Sequence, residues 1–321
     1  MRNFISFVLL GACLASPAAR AAETWPVKPV RLIAAAAPGG TTDQLARIIG
    51  QHLSEKFGKP FVVENKGGAG GGLAAQFVQQ AEPDGYTLLV TNDQLSMKAS
   101  FETKVEYDAI GGFKPVSTIV RGPVVMGVGK DVPVNDLQGL VKLAKAKDSR
   151  LAFGSCGSGT ILHLAGELLN LTAGTQITHV PYRGCAPAMV DVLAGQIPMF
   201  VTVLGNAAPY AKEGKVKMLA VTSRNRLTQF PEVPTAREAG LGELVAEPWF
   251  GVLAPAKTPD AIVNRLAEEL KAFVEDPAVA ARLEEMYLAP EANGPERFAT
   301  IIKADIDKWS RVVREAKVTV Q

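Results

Sequence analysis

The chain is poor in the side chains on which most enzymes and metalloproteins depend. Its 321 residues include three histidines, three cysteines, three tryptophans and five tyrosines. His52, His163 and His179 lie at no metal-ligand spacing, and no His-Glu-x-x-His occurs. No metal and no cofactor are therefore expected. Ser155 and Ser158 miss the frame of a Gly-x-Ser-x-Gly nucleophile elbow. The run Gly67 to Gly72 lacks the Lys-Ser/Thr ending of a phosphate loop. It brushes against a dinucleotide pattern, but the acidic residue required after a second strand is missing. Cys185 close to His179 could suggest a thiol nucleophile, and the oxidising compartment argued below speaks against it. A formal charge of +2, no basic run and few aromatics exclude nucleic acid as a partner. After the N-terminus no apolar run is long and uncharged enough to cross a bilayer, which needs about 20 residues.

The N-terminus reads as an export signal. Arg2 supplies the charge, Phe4 to Leu14 a short apolar core, and Ala19-Arg20-Ala21 a small-x-small cleavage site. Residues 1–21 are expected to leave, so that the mature protein starts at Ala22 in the periplasm. The competing reading is a lipid anchor, because Leu10-Gly11-Ala12-Cys13 is lipobox-like. With Cys13 gone, Cys156 and Cys185 remain, either as a disulfide or as two buried thiols.

What is present is one device, repeated. Val30 to Ile33 is an apolar strand, Pro38-Gly39-Gly40-Thr41-Thr42-Asp43 a tight turn, and the following residues an amphipathic helix. Leu45, Ile48, Ile49 and Leu53 share one face of that helix. Thr41, Thr42 or Asp43 can cap its first turn. The first N–H groups of a helix have no intrahelical partner and carry partial positive charge, so an anion docks there without Lys or Arg. A second strand, Gly-rich loop and helix follows at 61–80. A third follows at 151–169 through Ser155-Cys156-Gly157-Ser158-Gly159-Thr160, and a fourth at 178–193 through Arg183-Gly184-Cys185. Residues 223–243 look like surface connection. Strands alternating with helices imply an α/β protein, with mostly parallel sheets flanked by helices. The echo after about 115 residues suggests two lobes. Ligands of such sheets sit beyond the carboxyl ends of the strands, where these loops lie. N–H-rich loops, hydroxyls and one cation suit the holding of a small anion.

The chain resembles the periplasmic substrate-binding receptors of tripartite tricarboxylate transporters, the Bug receptors. The likeness rests on Trp25-Pro26-x-Lys28-Pro29-x-Arg31, Gly39-Gly40-x-Thr42-Asp43-x-x-Ala46-Arg47 and Val63-Glu64-Asn65-x-x-Gly68-Ala69-Gly70-Gly71. It continues through Pro83-Asp84-Gly85-Tyr86-Thr87-Leu88-Leu89, His179-Val180-Pro181-Tyr182-Arg183-Gly184 and Leu219-Ala220-Val221-Thr222-Ser223. The resemblance implies a clamshell of two lobes, 22–123 plus 246–321 and 124–245, acting as a monomer without catalysis. It further implies a small organic carboxylate as ligand and a membrane transporter as partner. Matching ligand residues are Gly39, Gly40, Thr41, Thr42, Gly68, Ala69 and Asn92 from the first lobe. From the second they are Ser155, Gly157, Ser158, Thr160, Arg183, Gly184, Cys185 and Thr202. Three departures stand out. Ala35-Ala36-Ala37-Pro38 replaces a stretch in which the family often carries an aromatic residue. Thr202 aligns with a family aspartate. Cys156 and Cys185 occupy loop positions often filled by small residues, and neighbouring strands would bring them within reach of a disulfide. A ligand sensor and an exported α/β hydrolase are the alternative functions.

Overall fold

The computed structural model describes residues 25–101 and 105–319. The export signal, its cleavage site and Cys13 lie outside these residues. The chain begins with β1 (Val30–Ala34), α1 (Thr41–Phe57), β2 (Phe61–Asn65), a 3-10 turn (Ala69–Gly71), α2 (Gly72–Gln79), β3 (Thr87–Asn92), α3 (Gln94–Ala99) and β4 (Phe113–Arg121). Next come β5 (Val124–Gly129), α4 (Leu137–Ala144), β6 (Ala152–Ser155), α5 (Ile161–Ala173), β7 (Thr178–Pro181), α6 (Cys185–Leu193), β8 (Met199–Val203), α7 (Leu204–Lys212) and β9 (Val216–Val221). It ends with β10 (Trp249–Pro255), α8 (Asp260–Glu275), α9 (Pro277–Glu285), β11 (Ala289–Pro290) and α10 (Pro295–Glu315).

The strands form two separate sheets, ordered β11-β4-β10-β3-β1-β2 and β7-β6-β8-β5-β9. In the first, β1, β2 and β3 are parallel while β10 runs antiparallel to both neighbours. In the second, β6, β7 and β8 are parallel and β5 opposes β8 and β9. Each sheet is thus mixed: β10 and β11 run against their neighbours in the first, and β5 runs against β8 and β9 in the second. Strands covered on both faces read as continuous apolar runs. Val124, Val125, Met126 and Val128 of β5 are accordingly all buried.

Helix α10 ties the two layers together. Its Phe298, Ile301 and Ile302 enter the core of the first sheet with Ile33, Leu89 and Trp249. Its Trp309, Val312 and Val313 enter the core of the second with Leu164, Leu168 and Met199. The i, i+3, i+4 spacing keeps these residues on one stripe, and 21 residues of helix reach about 30 Å, enough to touch both cores. Each such side chain removed from water contributes about 1.5–3 kcal/mol. Residues 223–243 are more than surface connection: Leu227, Phe230, Val233, Ala236 and Leu241 are buried against the second sheet.

The crossings bring the carboxyl ends of both parallel sets together. Asn92, the last residue of β3, pairs with Phe250, and the adjacent Trp249 pairs with Arg121 at the end of β4. Only Gly122 and Pro123 separate Arg121 from β5, whose first residue pairs with Val203, the last of β8. Gly122 N–H donates to the Pro248 carbonyl at 2.7 Å and Leu204 N–H to the Pro123 carbonyl at 2.8 Å. The loops that follow β1, β2 and β3 therefore open towards the same junction as those that follow β6, β7 and β8.

Candidate functional site

In the first half of the site, the turn after β1 is organised by a carboxylate. Gly39 has φ of +87°, a conformation open to glycine at little cost. Helix α1 begins at Thr41 with Gly40 as its N-cap, and no side chain caps it. The capping expected of Thr41, Thr42 or Asp43 is not the one observed. Asp43, in the third helical position and 3% exposed, reaches back outside the helix. Its carboxylate accepts from Gly39 N–H at 2.9 Å, from Asn65 Nδ2 at 2.9 Å and from Arg47 Nε at 3.1 Å, with Arg47 Nη2 at 2.9 Å. Asn65 Nδ2 also donates to the Ala36 carbonyl at 3.2 Å. One buried anion thus joins the loop after β1 to the end of β2. Arg47, the Gly39 N–H and Asn65 together hold the Asp43 carboxyl down to about 2.

The Gly-rich loop after β2 packs on this turn. A Cβ on Gly67 would meet Ala37 N at 3.0 Å, and one on Gly71 would meet the Ala35 Cβ at 3.2 Å. Gly68 and Ala69 are exposed on its outer side. Asn92 is half-buried, and its Oδ1 accepts from Gln94 N–H at 3.1 Å, at the start of α3. Thr42 is 4% exposed, so its hydroxyl faces the protein, whereas Thr41 is open to solvent.

The second half is joined covalently. Cys156, after β6, and Cys185, the first residue of α6, form a disulfide with Cα atoms 4.3 Å apart. Gly184 N–H donates to the Cys156 carbonyl at 3.2 Å, and Tyr182 N–H to the Ser155 carbonyl at 3.2 Å. Thr160 caps α5: its hydroxyl accepts from His163 N–H at 3.3 Å and donates to the Gly157 carbonyl at 2.8 Å. Thr202 is 2% exposed, with Oγ1 3.7 Å from the Cys156 sulfur, behind the disulfide. Ser158, Arg183 and the rim of Gly157 and Gly184 complete the outer edge. Ser158 and Arg183 are exposed, and among the described residues Arg183 has no carboxylate at ion-pair distance.

The structure also brings together a serine and a histidine that no sequence spacing suggested. Ser155 Oγ lies 2.7 Å from His179 Nε2 and 3.3 Å from Gly157 N–H. The His179 ring stacks on His163 with centroids 3.6 Å apart, and His163 Nδ1 accepts from Gly159 N–H at 3.2 Å. Burial, then the neighbouring His163, push His179 down to about 4, with Glu167 opposing. The pair resembles a nucleophile and base, but Ser155 is 0% exposed, so its hydroxyl reaches no substrate. It anchors the loop after β6 to the end of β7.

Helices α1, α2, α5 and α6 all begin at these loops, and the first turns of α2, α5 and α6 contain no acidic residue. Their partial positive charge is therefore not offset by an acidic side chain of the first turn. The residues matched from sequence thus fall into two sets. Thr41, Gly68, Ala69, Ser158 and Arg183 lie at the surface of the loops. Thr42, Ser155 and Thr202 lie beneath them, and Gly39 N–H is already committed to Asp43. Sequence reasoning took Asp43 only as a cap, although an acid three residues into a helix after Gly-Gly is the signature of a side chain that reaches back.

A family model described as tripartite tricarboxylate transporter family receptor matches residues 45–318. Protein BugT of Bordetella pertussis is 32% identical over 313 residues, spanning 97% of this chain and 95% of that protein. Rpa4515 of R. palustris, solved with adipate, superposes with a TM-score of 0.78 at 32% identity, over 92% of this chain and 99% of that one. MatC from Rhodopseudomonas palustris, solved with bound malate, superposes with a TM-score of 0.74 at 31% identity, over 90% of this chain and all of the other.

Proposed function

Because the chain belongs to the tripartite tricarboxylate transporter receptor family, we propose that it is an exported receptor that captures a small carboxylate between two lobes and presents it to a membrane transporter. The lobes are 22–123 with 246–321, and 124–245. The observation that carries this reading is the meeting of loops from both sheets at one junction, with helix N-termini free of acidic residues. The adipate and malate bound by two relatives of the same fold point to an organic acid.

Thr41, Gly68 and Ala69 line one wall; Ser158, Gly157, Gly184 and Arg183 line the other. Thr42, Ser155, Thr202 and the disulfide support them from behind. The carboxylate accepts from loop N–H groups and hydroxyls, and Arg183 adds a full charge. Ligand that touches both walls favours the closed arrangement, which the transporter then recognises. The protein acts without catalysis, since the Ser155–His179 pair is buried and His179 has too low a pKa to serve as a base near neutrality.

A thermal-shift screen of the purified protein against mono-, di- and tricarboxylates, with neutral controls, tests the proposal. A ligand held at a hundredfold excess over Kd raises stability by about 2.7 kcal/mol. A graded rise with one class of acid is expected. A flat response to every acid, with protein shown to be folded and ligand-free, overturns it.

A further inference from the structure

A cavity of about 400 Å³ lies where both crossings of the chain meet α10. Its walls come from both sheets. Arg121 ends β4, Glu291 follows β11, and Arg224 lies just past β9. Arg297, Asp305 and Lys308 stand on α10, and Glu247 on the segment that returns to β10. β11 and β4 close one end of the first sheet, and β9 closes one end of the second. The loops after β1, β2, β6 and β7 lie towards the opposite ends, so this cavity is separate from the candidate site.

Four cations and three acids line it, and the acids are already met. Glu291 accepts from Arg121 Nε at 3.0 Å, Asp305 from Trp249 Nε1 at 2.9 Å, and Glu247 from Arg224 N–H at 3.2 Å. The cations are less well matched. The Lys308 ammonium donates to the Val245 carbonyl. Burial holds it down to about 8; Arg224 and Arg311 push the same way, and Asp305 and Glu247 oppose them. The Arg224 side chain is 76% exposed, and its Nε stays 3.7 Å from Glu247. Arg297 is exposed, and among the described residues it has no carboxylate at ion-pair distance. Trp309 also lines the cavity and is buried, and its indole N–H, a donor only, has no acceptor among the described residues. Spare donors and loosely held guanidinium groups, beside acids that are already used, suit an occupant that only accepts and carries negative charge.

We infer that this cavity is a second binding site, which takes a small oxyanion between Arg297 on α10 and Arg224 beyond β9. The anion accepts from both guanidinium groups, and Lys308 adds its charge from the wall. Arg297 stands next to Phe298, which is seated in the first core, and Arg224 follows a strand of the second sheet. The bound anion therefore joins the two layers.

Isothermal titration of the purified protein with inorganic phosphate, at constant ionic strength and with chloride as control, tests the inference. The wild type is expected to bind one phosphate saturably. Arg297→Gln and Arg224→Gln should each weaken that binding at least about tenfold. Their melting temperatures without phosphate should stay unchanged, since both side chains are exposed. Arg183→Gln, at the rim of the candidate site, should bind phosphate as the wild type does. No saturable binding in the wild type, or unchanged affinity in both Arg297→Gln and Arg224→Gln, overturns the site. Loss of binding in Arg183→Gln alone puts the anion at the candidate site, which overturns the inference and leaves the receptor reading standing.

Discussion

The two halves of the cleft hold their loops by opposite means. In the first, Asp43 gathers Gly39, Asn65 and Arg47 through charge-assisted hydrogen bonds of 2.9–3.1 Å. In the second, a covalent bond joins Cys156 to Cys185, and uncharged contacts around Ser155 and His179 do the rest. Both solutions use the inner polar groups of the loops internally and leave the outer ones exposed. The difference lies in what each half depends on. The first depends on a carboxylate that stays ionised; the second depends on oxidation and on a neutral imidazole.

The largest expected effect comes from opening the covalent half. The disulfide closes a loop with a sequence separation of 29, so Cys156→Ser with Cys185→Ser should lower stability by about 3 kcal/mol. Calorimetry of the variant measures the loss. Hydrogen exchange should quicken at 155–160 and 182–187 and stay unchanged at 35–43; faster exchange in both halves would show that the two are coupled. Asp43→Asn keeps the shape and removes the charge. It should cost about 2 kcal/mol, read from chemical denaturation, with faster exchange at 35–43 and 65–72 alone. Ser155→Ala removes one buried hydroxyl and leaves His179 Nε2 and Gly157 N–H short of a partner, at a cost of about 1 kcal/mol.

Acid should separate the halves by the order in which they loosen. His179, held at about 4, is a base with a depressed pKa. Between that value and its ordinary one, near 6.5, the unfolded chain binds a proton that the folded chain refuses. Its contribution to stability is therefore complete above pH 6.5 and is lost as pH falls towards 4. Asp43, held at about 2, contributes fully above the ordinary carboxyl value of 3.8, and that contribution is lost only as pH falls through 2. Exchange measured stepwise from pH 7 downward should loosen 155–160 before 35–43. The reverse order would break the comparison.

Much of this architecture is legible in the chain. The four strand–loop–helix units stand where the apolar runs and glycines put them, because a strand end, a turn and a helix start are local events. Export-related reasoning and the family likeness made Cys156–Cys185 a disulfide candidate, and the two cysteines are bonded. Other features carry no local mark. The reversal of β5 and β10 within their sheets follows from where the chain crosses between lobes, which periodicity does not record. Leu227, Phe230 and Val233 sit in a stretch rich in Pro, Arg and Glu, and their burial comes from the sheet they meet. Ser155 and His179 are 24 residues apart and meet only because β6 and β7 pair in parallel, with Ser155 opposite Pro181.

By itself, then, the sequence determined the class of the fold, the position of each loop and the family. These follow from φ preferences, side-chain periodicity and motif order, all of which act over a few residues. Tertiary structure alone decided which polar groups are buried and which stay exposed. Asp43 became a lock instead of a cap, and Ser155 a buried anchor between two loops. Whether a hydroxyl, a carboxylate or an ammonium meets water, a neighbour or a ligand depends on what distant segments bring against it, and that is settled only when the sheets close.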